Sequence, residues 1–369
     1  MTMVETIVIG GGPAGAATAA GLAALGRDVM LIERANGPHH KVCGEFISSE
    51  TGTHVQRLGI DLAALGAVPI DQVAIYAPSQ QASDRLPFKA LSLSRYRFDC
   101  ALLERAEHLG AQVRSNASVR SAVPYDGGWR VECADGSTVQ CRHLVLATGK
   151  IGLRGIGDER DGSMVGLKMH FSPAPELRRA LARRVELFLF DRSYVGLELV
   201  EDGIANLCCL LPRAVVAEIG SVWPALRDHL AAAHPDLAAR LAGAEPHWDK
   251  ALAVVCPAGG HLHDEGAPAV YRVGDRLAHI PPFTGDGLAI ALGSAALAVE
   301  HIYAGAPPAA YLAAARCLTR GPVRLASMIS GIAASRAGRS ILLGAATWIP
   351  GLVEAVARGT RLQTAPQRR

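Results

Sequence analysis

A chain of 369 residues, half of them hydrophobic and 19% charged, has room for about two domains and is too apolar for a disordered segment. Its net charge of +3 lies too near neutrality for a dedicated nucleic-acid binder, and eight cysteines in so long a chain do not make a disulfide framework. The thiols read as reduced and the protein as cytoplasmic, because acidic Glu5 precedes the first apolar run and no basic signal region is present.

Thr6–Gly26 carries no charge and has the length of a membrane span, but glycines at 10–12 and Pro13 interrupt it. A strand, a turn and a helix account for it better. Thr6–Ile9 is a buried parallel strand, and Gly10-x-Gly12-x-x-Gly15, with Pro13 and Ala14 inside it, opens a small-residue helix that stops at Gly26. Val29–Ile32 is the second strand, ending in Glu33 and Arg34. This βαβ context predicts a dinucleotide: the glycines allow a tight turn and close backbone approach, helix amides meet the pyrophosphate, and Glu33 accepts from ribose hydroxyls.

Lys41-Val42-Cys43-Gly44-Glu45 follows, then a stretch over 68–93 that reads as sheet. Ser94-Arg95 and Phe98-Asp99 open a helix, and Leu144–Leu146 is an apolar strand entering a small-residue turn at Ala147-Thr148-Gly149. Val185–Phe190 and Tyr194–Leu199 alternate polar and apolar positions, and Asp202-Gly203 predicts a hairpin into Ile204–Cys209. Phe188, Phe190, Tyr194 and Leu197 are the expected walls of an apolar pocket, with plain sheet core as the alternative. Val273-Gly274-Asp275 precedes His279-Ile280-Pro281-Pro282-Phe283-Thr284-Gly285-Asp286-Gly287-Leu288 and a helix to about Tyr303. From Arg316 onward there are nine arginines and one acid, Glu354, with apolar residues at helical spacing. Such an end packs on its own domain, or lies on a membrane surface or against a greasy substrate. His39-His40 and His261 with His263 lack the carboxylates or cysteines that would complete a metal site, so no metal is expected.

These separated motifs, in this order over about residues 4–300, resemble the FAD-dependent monooxygenase superfamily, which includes p-hydroxybenzoate hydroxylase, geranylgeranyl reductases and flavin-dependent halogenases. The resemblance implies an α/β architecture: a Rossmann-like FAD-binding domain (1–67, 94–162 and 257–310), an inserted α+β substrate domain with a mixed or antiparallel sheet (68–93 and 163–256), and C-terminal helices (311–369). It implies FAD as cofactor, held by Gly10, Gly12, Pro13, Ala14, Gly15, Glu33, Arg34, Lys41, Cys43, Gly44, Arg95, Val119, Ala147, Thr148, Gly149, Gly274, Asp275, Pro282, Gly285, Asp286, Gly287 and Leu288. Asp275 is placed to accept from the ribityl hydroxyls, Val119 to meet adenine, and the helix dipole after Gly287 to stabilise reduced flavin. Cys43 and Pro282 are the candidates beside the reacting centre.

The resemblance leaves several reactions open. Monooxygenation of an apolar aromatic or polyketide-like molecule through a flavin C4a-hydroperoxide is the leading expectation. The alternative is saturation of carbon–carbon double bonds in an isoprenoid or similar lipid. Lys150-Ile151-Gly152 replaces the hydroxylases' Asp-Gly motif, and the aromatic signature of archaeal reductases is missing. The absent Trp-x-Trp-x-Ile-Pro motif argues against halogenation. A structural, non-catalytic flavin is the remaining reading. No second glycine fingerprint exists, so electrons would come from transiently bound NAD(P)H or a separate reductase.

Overall fold

The computed structural model describes residues 3–78, 80–153, 162–256 and 270–362; His261 and His263 lie outside them. Among these residues two sheets organise the chain. The first contains β1 (Met3–Ile9), β2 (Val29–Ile32), β6 (Gln112–Arg114), β7 (Val119–Tyr125), β8 (Gly128–Cys133), β9 (Thr138–Leu146) and β16 (Tyr271–Arg272), in the order β6-β2-β1-β9-β8-β7 with β16 also beside β9. Its core is parallel, Ile7 pairing with Met30 on one side and Leu144 on the other, and β7–β9 is an antiparallel meander. β1 and β2 are apolar on both faces because the parallel part is covered on both.

The second sheet draws β3 (Phe46–Ile47), β4 (Val68–Ala77), β5 (Gln80–Ser92), β10 (Met164–Ser172), β11 (Arg184–Phe190), β12 (Ser193–Leu199), β13 (Ala205–Pro212), β14 (Glu245–Pro246) and β15 (Leu252–Cys256) into the order β14-β10-β13-β12-β11-β4-β5-β3, with β15 also paired to β10. The expected hairpin joins β12 to β13, with Asp202 and Gly203 both at positive φ.

Helix α1 (Pro13–Ala24) is buried almost all round, and its alanines let it pack tightly against α3 (Arg95–His108) and α8 (Gly287–Tyr303). The helix α2 (Ser49–Arg57) also meets α8. On the second sheet, Leu167, Phe188, Val195 and Leu207 form one core with α4 (Pro175–Ala180), α5 (Arg213–Ile219), α6 (Trp223–Ala233) and α7 (Pro235–Leu241). The last described helices are α9 (Pro308–Ala333), α10 (Arg336–Trp348) and α11 (Leu352–Gly359); α10 and α11 lie against the other face of that sheet through β4 and β5, and α9 packs on α8 and beside β16.

Candidate active site

The β1–α1 turn is built by close approach. A Cβ on Gly15 would lie 1.9 Å from the Gly10 carbonyl oxygen, and one on Gly10 would lie 2.4 Å from that of Ala147, so neither position tolerates a side chain. Gly12 faces open space, and no side chain caps the N-terminus of α1 behind it. Pro13 stands at the helix start without costing a hydrogen bond, and Ala14 is buried. Glu33 accepts from the Gly11 amide at 2.5 Å and the Ala35 amide at 2.9 Å, which holds its carboxylate at the turn. Asn116 and Ala117 donate to the carbonyls of Ala35 and Glu33, so the segment leading to Val119 runs beside this acid, while Arg34 is exposed at the rim. An uncapped helix terminus, an open glycine and an anchored carboxylate are the cradle a dinucleotide needs. The residues fit FAD.

The second half of the cradle comes from the far end of the chain. Val273 donates to Leu146, which brings Gly274 to α1; at φ +60°, a Cβ there would stand 3.0 Å from the Ala14 Cβ. The Gly274 amide donates to Ser294 on α8 at 2.9 Å, leaving Asp275 partly exposed, with His279 Nδ1 4.0 Å from its carboxylate. Thr148, after buried Ala147, donates to the Ile151 carbonyl, and Gly149 follows at positive φ. Lys150 donates to Cys256; burial favours its neutral form, but Asp275 and Cys256 outweigh this and raise its pKa. Gly285 also has positive φ, Gly287 opens α8 towards solvent, and Leu288 belongs to the core. Asp286 caps α8 by position only. Its carboxylate turns inward to Arg361 at 2.6 Å, and burial raises it to about 6 against that arginine's pull. Any part Asp286 has in cofactor binding is therefore played by its backbone.

The Lys41–Glu45 loop joins the two sheets. Lys41 lies 3.3 Å from Asp99, and Arg95 grips Asp99 with two hydrogen bonds of 2.7 and 2.8 Å. The Cys43 sulfur accepts from the Glu45 amide at 3.3 Å, and Asn206 donates to the Cys43 carbonyl, while Gly44 is exposed. Glu45 is fully buried at φ +62° and receives the Arg95 amide at 2.6 Å, Lys168, and His170 at 2.7 Å. Burial alone would raise its pKa, but Lys168 and His170 hold it below the ordinary value. His40 packs against His170, Trp248 and Tyr96, and burial together with Lys168 lowers it to about 4. Neighbouring Glu198, buried beside Asn206, is raised well above the carboxylate range. His40, Glu45 and His170 bring potential ligand atoms within 4.8 Å of one another, but the Lys168 ammonium already supplies the cation there.

Sequence reasoning passed over Lys168, His170, Glu198 and Asn206. Their signal was two charged or titratable residues at alternate positions of an otherwise apolar strand, 164–171, with matching polar positions in β12 and β13.

A cavity of about 430 Å³ lies beside the His279–Phe283 segment. Pro281, Pro282, Phe283 and His279 line it on the flavin-domain side, Met164, Tyr194, Leu210, Leu187, Leu189 and Ile75 on the sheet, and residues of α9, α10 and α11 on the third side. Among the four expected pocket residues, Tyr194 lines this cavity. Phe188, Phe190 and Leu197 point to the opposite face, into the core under α4–α7. Period-two alternation identifies two faces but not which one a helical layer will cover; the helices took the aromatic one. The C-terminal helices, expected as a packed pair or a greasy contact, supply a wall.

Residues 3–165 match the family model described as an FAD binding domain. The menaquinone reductase of Mycolicibacterium smegmatis is 26% identical over 82% of this chain and 77% of its own length. Digeranylgeranylglycerophospholipid reductase 2 of Methanopyrus kandleri is 34% identical over 39% of this chain and 37% of its own. In fold, the flavin-dependent brominase Bmp2 superposes with a TM-score of 0.78 at 18% identity, covering 97% of this chain and 93% of that one. The chain is an FAD-dependent oxidoreductase whose residues 3–165 match an FAD binding domain. The glycine turn and Glu33 fall inside that matched segment, and the Gly274-Asp275 bend packs against the same helix, α1.

Proposed function

We propose that this flavoprotein saturates carbon–carbon double bonds in a long, apolar, isoprenoid-type lipid. The observation that carries the reading is the cavity: about 430 Å³, walled mainly by aliphatic side chains, and extending from the His279–Phe283 loop to the C-terminal helices. Such a space favours a hydrocarbon chain over a small polar ring. Two relatives support it by name, one a reductase of menaquinone and the other of a digeranylgeranylglycerophospholipid.

Bound FAD would supply the hydride chemistry, with NAD(P)H or a separate reductase as electron source. The chain's own residues do the rest. The cradle fixes the cofactor, the apolar walls exclude water, and Pro282 bounds the cavity where it meets the α8 terminus. Burial keeps the Tyr194 phenol well above its ordinary pKa, so its hydroxyl holds a proton at the cavity wall, within electrostatic reach of Cys208, Cys256 and Cys43.

Hydroxylation of an apolar aromatic is the second reading, favoured by the hydroxylase-like His279-Ile280-Pro281-Pro282 run that borders the cavity. Anaerobic incubation of the reduced holoprotein with a polyprenyl quinone, followed by air reoxidation of any quinol and mass spectrometry of the quinone, separates the two. A reoxidised quinone whose side chain is richer by one pair of hydrogens supports the reductase. No anaerobic product, with one oxygen atom gained from a phenolic lipid in air, refutes it in favour of the hydroxylase.

A further inference from the structure

Helices α9–α11 face the cavity on one side and solvent on the other, and the outer sides of α9 and α10 also expose large apolar residues. On α9, Arg320, Arg324, Met328 and Ile332 recur every four residues and are all exposed, so one stripe passes from basic to apolar. On α10, Ile341 and Trp348 stand seven residues apart on one face, 68% and 85% exposed, and Ile349 continues the patch at the bend into α11. Leu342, Leu343 and Ala346 on the same helix line the cavity. A helix that only shields a pocket from water would carry a polar outer face.

The charges complement the apolar patch. Beyond Arg316 the one acid is Glu354, and it is paired with Arg358. Arg320, Arg324 and Arg336 are exposed and make no ion pair among the described residues. An exposed tryptophan among isoleucines, with arginines alongside, has the composition of a segment seated at a lipid–water interface. No described helix is long and apolar enough to cross a membrane by itself, and α10 and α11 meet at 114°. That geometry suits lying in a bilayer surface rather than spanning it.

We propose that the outer face of α9–α11 docks on an anionic phospholipid bilayer, with Ile341, Trp348 and Ile349 entering the acyl boundary and Arg320, Arg324 and Arg336 meeting the headgroups. The substrate cavity then lies one helix thickness, about 10 Å, from the membrane. The docking extends the proposed function by naming the source of the lipid, but it rests on the surface itself and not on the reaction.

The test is flotation of the full-length, FAD-loaded protein with vesicles of phosphatidylcholine alone or mixed with phosphatidylglycerol. Binding to the mixed vesicles with a blue shift of tryptophan emission is expected. Ile341→Ser with Trp348→Ser should lower the bound fraction about tenfold, and Arg320→Glu with Arg324→Glu should abolish the preference for phosphatidylglycerol. All four side chains are exposed, and an unchanged flavin spectrum verifies that the variants fold. Absence of flotation, or flotation indifferent to both double substitutions, overturns the proposal. So does a dimer that the Ile341→Ser/Trp348→Ser variant dissociates, since a second copy would then cover the face. Partition is measured without turnover, so a failed reductase assay leaves this result intact, and the converse holds.

Discussion

Replacing Arg361 by Met tests the buried pair that ties the chain's end to the start of α8. Arg361 donates to Asp286 at 2.6 Å, to the Thr284 carbonyl at 3.3 Å and to the Ala357 carbonyl at 3.2 Å, and stacks 4.4 Å over Phe88. Asp286 is fully buried, and burial raises it from an ordinary 3.8 to about 6 even with the arginine present. In the wild type the native state therefore holds this proton more tightly than the unfolded chain. Stability falls as pH rises from 3.8 through about 6, by about 3 kcal/mol, and then levels. Without Arg361 the carboxyl titrates higher still, and the fall continues above pH 6. The extra loss through Asp286 is close to zero at pH 5, where the wild-type group is already protonated, and reaches about 1.4 kcal/mol at pH 7. Lost hydrogen bonds and packing add about 1–3 kcal/mol at every pH. Urea denaturation at pH 5, 7 and 8, followed by flavin fluorescence, reads this directly. A destabilisation of equal size at pH 5 and pH 8 would refute the reasoning, because Asp286 would then not be titrating against Arg361.

Gly15→Ala should abolish flavin retention, since its Cβ would sit 1.9 Å from the Gly10 oxygen; a wild-type ratio of flavin to protein absorbance would contradict the cradle. Lys168→Met strands Glu45 in the interior and should cost about 3–5 kcal/mol at neutral pH by urea unfolding. Glu45 is held below its ordinary 4.5, so the wild-type pair stabilises above that pH and loses its effect as pH falls, and the cost of Lys168→Met should shrink in acid. Leu187→Trp, filling part of the cavity, should lower lipid turnover about tenfold or more while leaving FAD content unchanged. Phe188→Ala, one residue away on the opposite face, should cost about 3–5 kcal/mol of stability through a core void and affect turnover less. Equal effects of the two on turnover would show that the cavity is not the substrate site.

The parts legible in the sequence are those whose geometry is local. Gly10, Gly12 and Gly15 between two apolar runs specify a βαβ turn because a few consecutive dihedrals and one close backbone contact decide it. The same holds for Asp202-Gly203, a two-residue hairpin signal, and for Gly26 ending α1 at φ +72°. A run such as Val185–Phe190 is different. Alternation sorts Leu187 from Phe188 but carries no information about which side a distant helix will cover.

The charged centre was hidden for a related reason. Glu45 reads as the last letter of a flavin-proximal motif, yet its partners Lys168 and His170 lie more than 120 residues later, inside a strand that reads as apolar. Asp286 likewise meets Arg361 across 75 residues. By itself, then, the sequence determined the glycine turn of the first βαβ unit and the presence of two sheets, because backbone sterics and hydrophobic period act over a few neighbouring residues. Only the tertiary structure decided which sheet face bounds the cavity, that the basic C-terminal helices wall it, and where the buried charges find their counterions. Those outcomes depend on long-range packing and desolvation, which have no address in any short stretch of chain.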